Sequence, residues 1–229
     1  MGQIRTFAVV LAAGAGRRFG AGEPKVFLPI EGRPMLRAAA AAAAASPMVE
    51  ALVVTVPAGF EDRARTILEG LEKPVVVIPG AKTRQGSVLA ALASIPVEVE
   101  AIVVHDAARP FVDADLFTSV VSAVADGAVA AIPVVPIADT VKRVRDGVIV
   151  ATEPRDGLAL AQTPQAFRAR VLRDVHRRAS GGPEFTDDAS MLEWAGHPVV
   201  TVSGDPGNIK VTTPHDMPRT VPPLGGRGA

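Results

Sequence analysis

Short apolar runs alternate with stretches of helical character along the chain up to Pro133. Apolar runs bounded by loops are typical of buried parallel strands, and they occupy residues 7–11, 52–56, 75–78, 101–104 and 128–132. Helical composition or spacing follows at residues 35–45, 61–71 and 85–92, and again from a capping Asp113 to about residue 126. This alternation predicts right-handed βαβ units around a mostly parallel sheet, and therefore an α/β fold.

The pattern changes after Pro133. Residues 137–150 alternate apolar with charged side chains and include Asp146-Gly147, a pair that favours a tight hairpin turn. We therefore predict a protruding two-stranded arm at about residues 137–157. Because a lone two-stranded ribbon is only marginally stable in water, we expect the arm to pack on something, most simply a second copy of the chain.

The remaining segments complete the predicted domain. Thr163-Pro164-Gln165 is expected to open a helix that runs towards Arg178, and Thr186-Asp187-Asp188 to cap another that ends near Gly196. A late strand is predicted at residues 199–202, and the tail at about residues 215–229 is expected to be flexible. With no internal repeat or linker, we predict a single domain over residues 1–229.

Composition narrows the classes of partner. Lys and Arg together number 24, as do Asp and Glu, so no overall basic field is present to hold nucleic acid. The chain has 0 cysteines, which excludes disulfides and thiolate metal sites. We find no signal peptide and no apolar run long enough to cross a membrane, so the expected location is the cytoplasm.

The loop after the first strand carries the strongest chemical signal. It contains Gly14, Gly16 and Gly20, then Arg17, Arg18 and Lys25, and a strand that ends in such a cationic glycine loop predicts a phosphate cradle. The glycine spacing is one residue too long for a dinucleotide fingerprint, and the second strand ends without an acidic residue. No Gly-Lys-Ser/Thr follows, so the loop does not match a Walker motif either.

Ligands of open parallel sheets lie beyond the carboxyl ends of the strands. The loops after the first, third and fourth strands should therefore converge there and bring together Arg18, Lys25, Arg84, Ser87, Asp106 and Arg109. Cations, one hydroxyl and one carboxylate suit a nucleoside triphosphate with Mg²⁺. We assign the metal to Asp106, because no other acidic residue is expected at this edge. His105 is interpreted as structural.

Several motifs in order resemble a known family. They are Leu11-Ala12-Ala13-Gly14-x-Gly16-x-Arg18-Phe19-Gly20 with Pro24-Lys25, His105-Asp106-Ala107-Ala108-Arg109-Pro110, Asp139-Thr140-x-Lys142-Arg143, Thr163-Pro164-Gln165, Thr186-Asp187-Asp188-Ala189-Ser190 and Asn208-Ile209-Lys210-Val211. Over about residues 6–214 the chain is similar to the 2-C-methyl-D-erythritol 4-phosphate cytidylyltransferases, nucleotidyltransferases of the non-mevalonate isoprenoid pathway. The resemblance implies a Rossmann-like three-layer sandwich with a mostly parallel twisted sheet and a β-hairpin dimerisation arm.

The resemblance also implies the reaction and its residues. A phosphate oxygen of methylerythritol phosphate would attack the α-phosphorus of CTP, with Mg²⁺ as cofactor and Asp106 as its ligand. The catalytic residues would be Arg18, Lys25 and Lys210. CTP would be held by Ala12, Ala13, Gly14, Gly16, Gly80, Arg84 and Ser87. The second substrate would be held by Asp106, Arg109, Thr140 and Arg155, the last two reaching across a homodimer. Asp205 is a candidate for a second metal contact.

Plainer interpretations of these residues stay open. Asp106 could cap a helix or pair with Arg109, Ser87 could be an ordinary first-turn serine, and Lys210 could simply protect a strand edge. Two other functions also stay open: a cytidylyltransferase for another polyol phosphate, such as ribitol 5-phosphate, and a non-catalytic nucleotide-binding regulator.

Overall fold

The computed structural model of the protein describes residues 4–14 and 23–216. Within these residues the strands are β1 (Thr6–Leu11), β2 (Pro29–Ile30), β3 (Arg33–Pro34), β4 (Ala51–Val56), β5 (Val75–Pro79), β6 (Ala101–Asp106), β7 (Ala130–Pro136), β8 (Val141–Arg145), β9 (Val148–Glu153), β10 (Ala159–Ala161), β11 (Gln165–Arg168) and β12 (Val200–Ser203). The α-helices are α1 (Met35–Ala45), α2 (Glu61–Leu68), α3 (Arg84–Ala93), α4 (Ala114–Ala125), α5 (Ala169–Arg178) and α6 (Asp188–Trp194).

The main sheet is mixed but mostly parallel. In the described residues it has eight strands: seven follow the order β10-β7-β11-β6-β1-β4-β5, and the eighth, β12, pairs with β7. Strands β6, β1, β4 and β5 are parallel neighbours, as are β12 and β7, whereas β10 and β11 run antiparallel to their neighbours. The parallel strands thus end at one edge, where Leu11 of β1 lies beside Asp106 of β6.

Helices cover both faces of the sheet and give a three-layer sandwich. Alternation along β1 sends Ala8 and Val10 to one face and Val9 to the other. The first face packs against apolar residues of α1, α2 and α4, and the second against those of α3, α5 and α6. The alanines that α1 buries against the first face leave almost no surface exposed, which lets this helix lie close to the sheet.

Most predicted elements are confirmed within a few residues. Helix α1 has the predicted bounds, and Asp113 caps α4 by accepting a hydrogen bond from the Asp115 backbone N at 3.0 Å. Helix α2 ends at Leu68, three residues before the predicted end at Leu71, because Glu69 leaves the helical path with a ψ of 139° and Gly70 follows with a positive φ of 77°.

The predicted helix beginning at Thr163-Pro164-Gln165 is partly wrong. Residues Gln165–Arg168 form strand β11, which pairs antiparallel with β6 and β7, and helix α5 begins only at Ala169. Ala166 and Phe167 are fully buried between two strands, so pairing with partners distant in sequence determines their conformation. The short strands β2, β3 and β10 were also not predicted.

The predicted arm is the hairpin of β8 and β9. These strands pair with each other in a separate two-stranded sheet, and Asp146 and Gly147 take the positive φ values of 49° and 76° that the turn requires. Val144, Val148, Ile149 and Val150 are each at least half exposed on it.

Some expectations fall on residues that the structure does not describe. Gly16, Arg17, Arg18 and Gly20 of the glycine loop lie outside the described residues, as does the predicted flexible tail beyond Asp216. Among the residues that are described, no helix combines the length and apolar character needed to cross a membrane.

Candidate active site

A polar cavity of about 230 Å³ opens at the carboxyl edge of the sheet. It lies where the sequence predicted a ligand site, beyond the ends of parallel strands. Its lining combines cations, carboxylates, amides and hydroxyls: Arg84, Asp106, Arg109, Ala161, Gln162, Thr163, Gln165, Thr186, Asp187 and Lys210. Of the predicted site residues, the structure therefore brings Arg84, Asp106, Arg109 and Lys210 together around one space.

Asp106, the last residue of β6, stands between two cations. Its Oδ2 accepts a hydrogen bond from Lys210 Nζ at 2.6 Å, and its Oδ1 accepts one from Arg84 Nε at 3.3 Å. Burial acts to raise the pKa of Asp106, but the charges of Arg84 and Lys210 outweigh it and hold the pKa well below its usual range. Asp106 is therefore a carboxylate at neutral pH.

Arg84, the first residue of α3, joins this carboxylate to a second one. Its Nη1 donates to Oδ2 of Asp188 at 2.6 Å, while Nε faces Asp106. Burial acts to lower the pKa of Arg84, and the two carboxylates raise it, so the guanidinium stays charged. Its Nη2 is buried and finds no hydrogen-bond partner among the described residues.

Lys210 is held in place by its sequence neighbours. Asn208 is fully buried and its Nδ2 donates to the Thr163 carbonyl at 2.9 Å, while the Asn208 carbonyl accepts from Arg109 Nη1 at 2.7 Å. On the other side, Val211 is buried and its backbone N donates to the Ala108 carbonyl at 2.7 Å. The Asn-Ile-Lys-Val segment is thus anchored on both sides of the lysine.

The same segment contacts the end of the glycine loop. Lys25, in a short 3-10 helix over Lys25–Phe27, donates from Nζ to the Val211 carbonyl at 2.6 Å. Lys25, a predicted catalytic lysine, is therefore bound to the residue that follows Lys210, the second one. Arg18, the third predicted catalytic residue, lies outside the described residues.

His105 has a structural role beneath the cavity, as predicted from its position. It is fully buried, and burial lowers its pKa to about 4, so the imidazole is neutral at pH 7. Because the Arg109 carbonyl can only accept, Nε2 carries the proton and donates to it at 3.2 Å. Nδ1 then accepts from the Thr163 hydroxyl at 3.1 Å, whose oxygen accepts from the Asp106 backbone N.

The loops after β1 and β5 touch through very small residues. A Cβ atom built on Gly80 would lie 2.2 Å from the Ala13 Cβ, so only glycine fits there without movement. Ser87 is 3% exposed, and its hydroxyl accepts from the Ala81 backbone N and donates to the Thr83 carbonyl. Ser87 thus holds this loop closed, while Ala12 lies buried and Gly14 exposed at the adjacent loop; the contacts of these residues with CTP remain predictions.

Residues of the arm do not reach the cavity within one chain. Thr140 and Arg155 are exposed and do not line it, and Arg155 donates to the Ala138 carbonyl. Asp205 does not line it either, and its Oδ1 accepts a hydrogen bond from the Gly207 backbone N at 2.7 Å. The assignments of Thr140 and Arg155 to the second substrate therefore depend on a second copy of the chain.

Sequence reasoning missed one carboxylate of the cavity. Asp187 lines it, so the expectation that Asp106 is the only acidic residue at this edge is wrong. The Thr-Asp-Asp motif was interpreted as a helix cap, and Asp187 does cap α6 by accepting from the Ser190 backbone N at 2.9 Å. Its other oxygen accepts from Gln165 Nε2 at 2.8 Å, which ties the cap to β11.

The donor set suits Mg²⁺ only if the ligand supplies most of the oxygens. In the described part of the chain no cluster of three or more His, Cys, Asp or Glu could hold a metal. Asp106 is a carboxylate at the cavity, and Mg²⁺ commonly binds one or two protein carboxylates together with substrate phosphates and water. Nucleotidyltransferases commonly use a divalent cation in this way.

Fold and site together define a class of protein. A mostly parallel sheet whose first strand leads into a glycine loop, and a cavity lined by three cations and by Asp106, are the features of an α/β nucleotidyltransferase-like protein. The model of the family IspD, 2-C-methyl-D-erythritol 4-phosphate cytidylyltransferase, matches residues 6–221. The chain belongs to this family.

Individual relatives agree with the family match. The chain is 44% identical over 214 residues to a 2-C-methyl-D-erythritol 4-phosphate cytidylyltransferase of Frankia casuarinae, covering 93% of this chain and 79% of the relative. It is 44% identical over 219 residues to a bifunctional enzyme IspD/IspF of a Bradyrhizobium strain, covering 94% of this chain and 55% of the relative. A crystal structure of the cytidylyltransferase of Thermus thermophilus has a TM-score of 0.76 at 33% identity, covering 91% of this chain and 94% of that one.

The chain covers a smaller share of the bifunctional relatives than of the cytidylyltransferase of Frankia casuarinae. The chain spans about half of the bifunctional relatives, 55% in the Bradyrhizobium case.

Proposed function

We propose that the chain transfers CMP from CTP to 2-C-methyl-D-erythritol 4-phosphate. An oxygen of the substrate phosphate forms a bond to the α-phosphorus of CTP, and the bond from that phosphorus to the bridging oxygen breaks, so that pyrophosphate leaves. The products are pyrophosphate and 4-diphosphocytidyl-2-C-methyl-D-erythritol, a precursor in isoprenoid synthesis. Family membership favours this reaction over activation of ribitol 5-phosphate and over a non-catalytic regulator.

The observation that carries the proposal is the cluster of cations around Asp106. Arg84, Arg109 and Lys210 line one cavity, and Lys25 is tied to the residue after Lys210. Both substrates are anions, so their mutual repulsion is the main obstacle to attack. Fixed positive charges, held before the substrates arrive, lower that barrier because they need no reorganisation during the reaction.

We assign the role of each residue from its position. Lys25, at the end of the glycine loop, is proposed to hold the triphosphate and stabilise charge at the α-phosphorus together with Arg18. Lys210 is proposed to face the attacking phosphate, since Asp106 holds its ammonium at the cavity. A phosphate monoester is already ionised near neutral pH, so the mechanism assigns no protein nucleophile.

We further propose Mg²⁺ as the cofactor, held by triphosphate oxygens and water with Asp106 as the protein ligand. When bound, the ion would supply charge neutralisation at the phosphates. Asp106 already meets Arg84 and Lys210, so one of these cations would move to share the carboxylate.

We also propose that the arm forms a homodimer. Four apolar side chains on β8 and β9 are at least half exposed, and a lone ribbon of two strands is marginal in water. Packing on a second chain would bury these side chains. It would also bring Thr140 and Arg155 towards the partner's cavity, where an arginine fork matches a phosphate.

A coupled assay of pyrophosphate release tests the function. The protein is mixed with CTP and Mg²⁺, and either methylerythritol phosphate or ribitol 5-phosphate is added, with product mass as a second readout. Release with methylerythritol phosphate alone is the expected result. Release only with ribitol 5-phosphate would favour the other polyol phosphate, and CTP binding without release from either would favour a regulator.

A further inference from the structure

Asp188 lies outside the cavity but contacts a residue that lines it. It is the first residue of α6 and is fully buried. Its Oδ2 accepts a hydrogen bond from Arg84 Nη1 at 2.6 Å, the shorter of the two contacts that Arg84 makes with carboxylates. This carboxylate is therefore one side chain removed from the candidate active site.

A buried histidine supports the same carboxylate from behind. Nε2 of His176, on α5, donates to Asp188 Oδ1 at 2.9 Å, and neither side chain is exposed. Burial acts to raise the pKa of Asp188, whereas the Arg84 charge and the His176 hydrogen bond lower it below its usual range. Asp188 thus remains charged with both oxygens occupied, as a buried carboxylate must be to offset its desolvation.

Two contacts on different nitrogens fix the plane of the Arg84 guanidinium. Nε meets Asp106 and Nη1 meets Asp188, and the group is a rigid planar fork. Nη2 is buried without an acceptor among the described residues, although buried polar atoms are normally satisfied. An acceptor is therefore expected from outside this part of the chain, and a ligand oxygen at the cavity is one that the chemistry supplies.

We propose that Asp188 is a positioning residue for the transfer reaction, which holds Arg84, with His176 as its support, so that Nη2 is kept for a substrate phosphate oxygen. This inference rests on the proposed function. Without the Asp188 charge, the fork can turn both of its ends towards Asp106, which would withdraw it from the ligand. The simpler alternative is that Asp188 and His176 only fasten α6 to α5.

Five single variants and one double variant separate these roles. Asp188→Asn removes the charge but keeps the shape. His176→Gln keeps a donor close to the Nε2 position, and His176→Leu removes it. Asp174→Asn is the matched control, because Asp174 also pairs two arginines, Arg177 and Arg178, but on the exposed side of α5. Arg84→Lys is made alone and together with Asp188→Asn.

Rates are measured against both substrates, well below the melting temperature of every variant. We expect kcat/KM of Asp188→Asn to fall by about 10- to 100-fold, as for a misplaced binding group. The kcat/KM of His176→Leu should also fall, whereas the kcat/KM values of His176→Gln and Asp174→Asn should stay close to that of the wild type. Because Asp188 acts through Arg84, adding Asp188→Asn to Arg84→Lys should lower the rate little further.

The opposite pattern would overturn the inference. If Asp188→Asn and His176→Leu lower only the melting temperature and leave kcat/KM at the wild-type value, the pair merely fastens the helices. Independent, multiplicative effects of Asp188→Asn and Arg84→Lys would equally exclude action through Arg84. A wild-type protein that is inactive with methylerythritol phosphate would instead refute the proposed function, which keeps the two failures distinct.

Discussion

Replacing Gly80 by alanine should force apart the two loops that carry the predicted CTP contacts. The new Cβ would lie 2.2 Å from the Ala13 Cβ and 3.0 Å from the Ser87 Oγ, whereas ordinary contact begins at 3.4 Å. The loops must therefore separate by about 1 Å or more, since both carbon atoms are fixed to backbone. Overpacking of this kind costs about 1–3 kcal/mol. For a chain of this size that lowers Tm by about 2–12 °C.

A double-mutant cycle measures whether the Ala13 contact is the cause. Thermal unfolding and KM for CTP are compared for wild type, Gly80→Ala, Ala13→Gly and the double variant. Because Ala13→Gly removes the clashing carbon, the double variant should recover about 1 kcal/mol or more relative to additivity. Gly14→Ala is the control for stability, since its Cβ would meet no described atom within 4 Å. An equal loss of Tm on adding Gly80→Ala to wild type and to Ala13→Gly would refute the reasoning.

Four further outcomes follow from the structure. Lys210→Met should lower kcat/KM for methylerythritol phosphate by about 100- to 1000-fold in the pyrophosphate assay, as expected for loss of one preorganised charge, while Lys73→Met, before β5 at the opposite edge, should not. Because folding lowers the pKa of Asp188, the stabilisation that its charge gives the folded protein is full above about pH 5 and is lost as pH falls below about 4. The Tm difference between wild type and Asp188→Asn should therefore shrink between pH 7 and pH 3. A constant difference would contradict the assignment. Ile149→Asp on the arm should shift the protein from dimer to monomer in analytical ultracentrifugation and reduce activity, whereas Val97→Asp, at a side chain 80% exposed elsewhere, should leave it dimeric. Chelation by EDTA should abolish pyrophosphate release without changing Tm in the absence of nucleotide, because the described residues hold no metal cluster; a large fall in Tm would indicate a structural metal.

Local signals in the sequence were enough to predict most of the fold. Continuous apolar runs located β1, β4 and β6, and the alanine-rich composition of residues 35–45 gave the bounds of α1. The failure at Gln165–Arg168 has a physical cause: the segment is a strand because β6 and β7 pair with it on either side. Those partners are remote in sequence, and the four residues of the segment alone do not predict the pairing.

The sequence predicted the part of the site that depends on the convergence of loops after parallel strands. Arg84, Asp106 and Arg109 follow parallel strands, so the topology alone brings their loops together, and the structure places them around one cavity. Asp188 was assigned only to a helix terminus, because a Thr-Asp-Asp motif is a sufficient capping signal by itself. Its contact with Arg84, 104 residues away, depends on how α6 packs against α3 and α5, which no short motif encodes.

The spacing of the cavity residues along the chain sets the order in which the site is assembled during synthesis. Lys210 reaches Asp106 across 104 residues, and Asp188 reaches Arg84 across the same interval. At typical elongation rates the second member of each pair leaves the ribosome about 5–20 s after the first. Before these residues are translated, Arg84 lacks its contact with Asp188, Asp106 lacks its contact with Lys210, and β7 lacks its parallel neighbour β12. A nascent chain therefore passes through a stage with most of its sheet translated and its cation cluster incomplete, and the cluster is completed only once the segment that carries Lys210 has been translated.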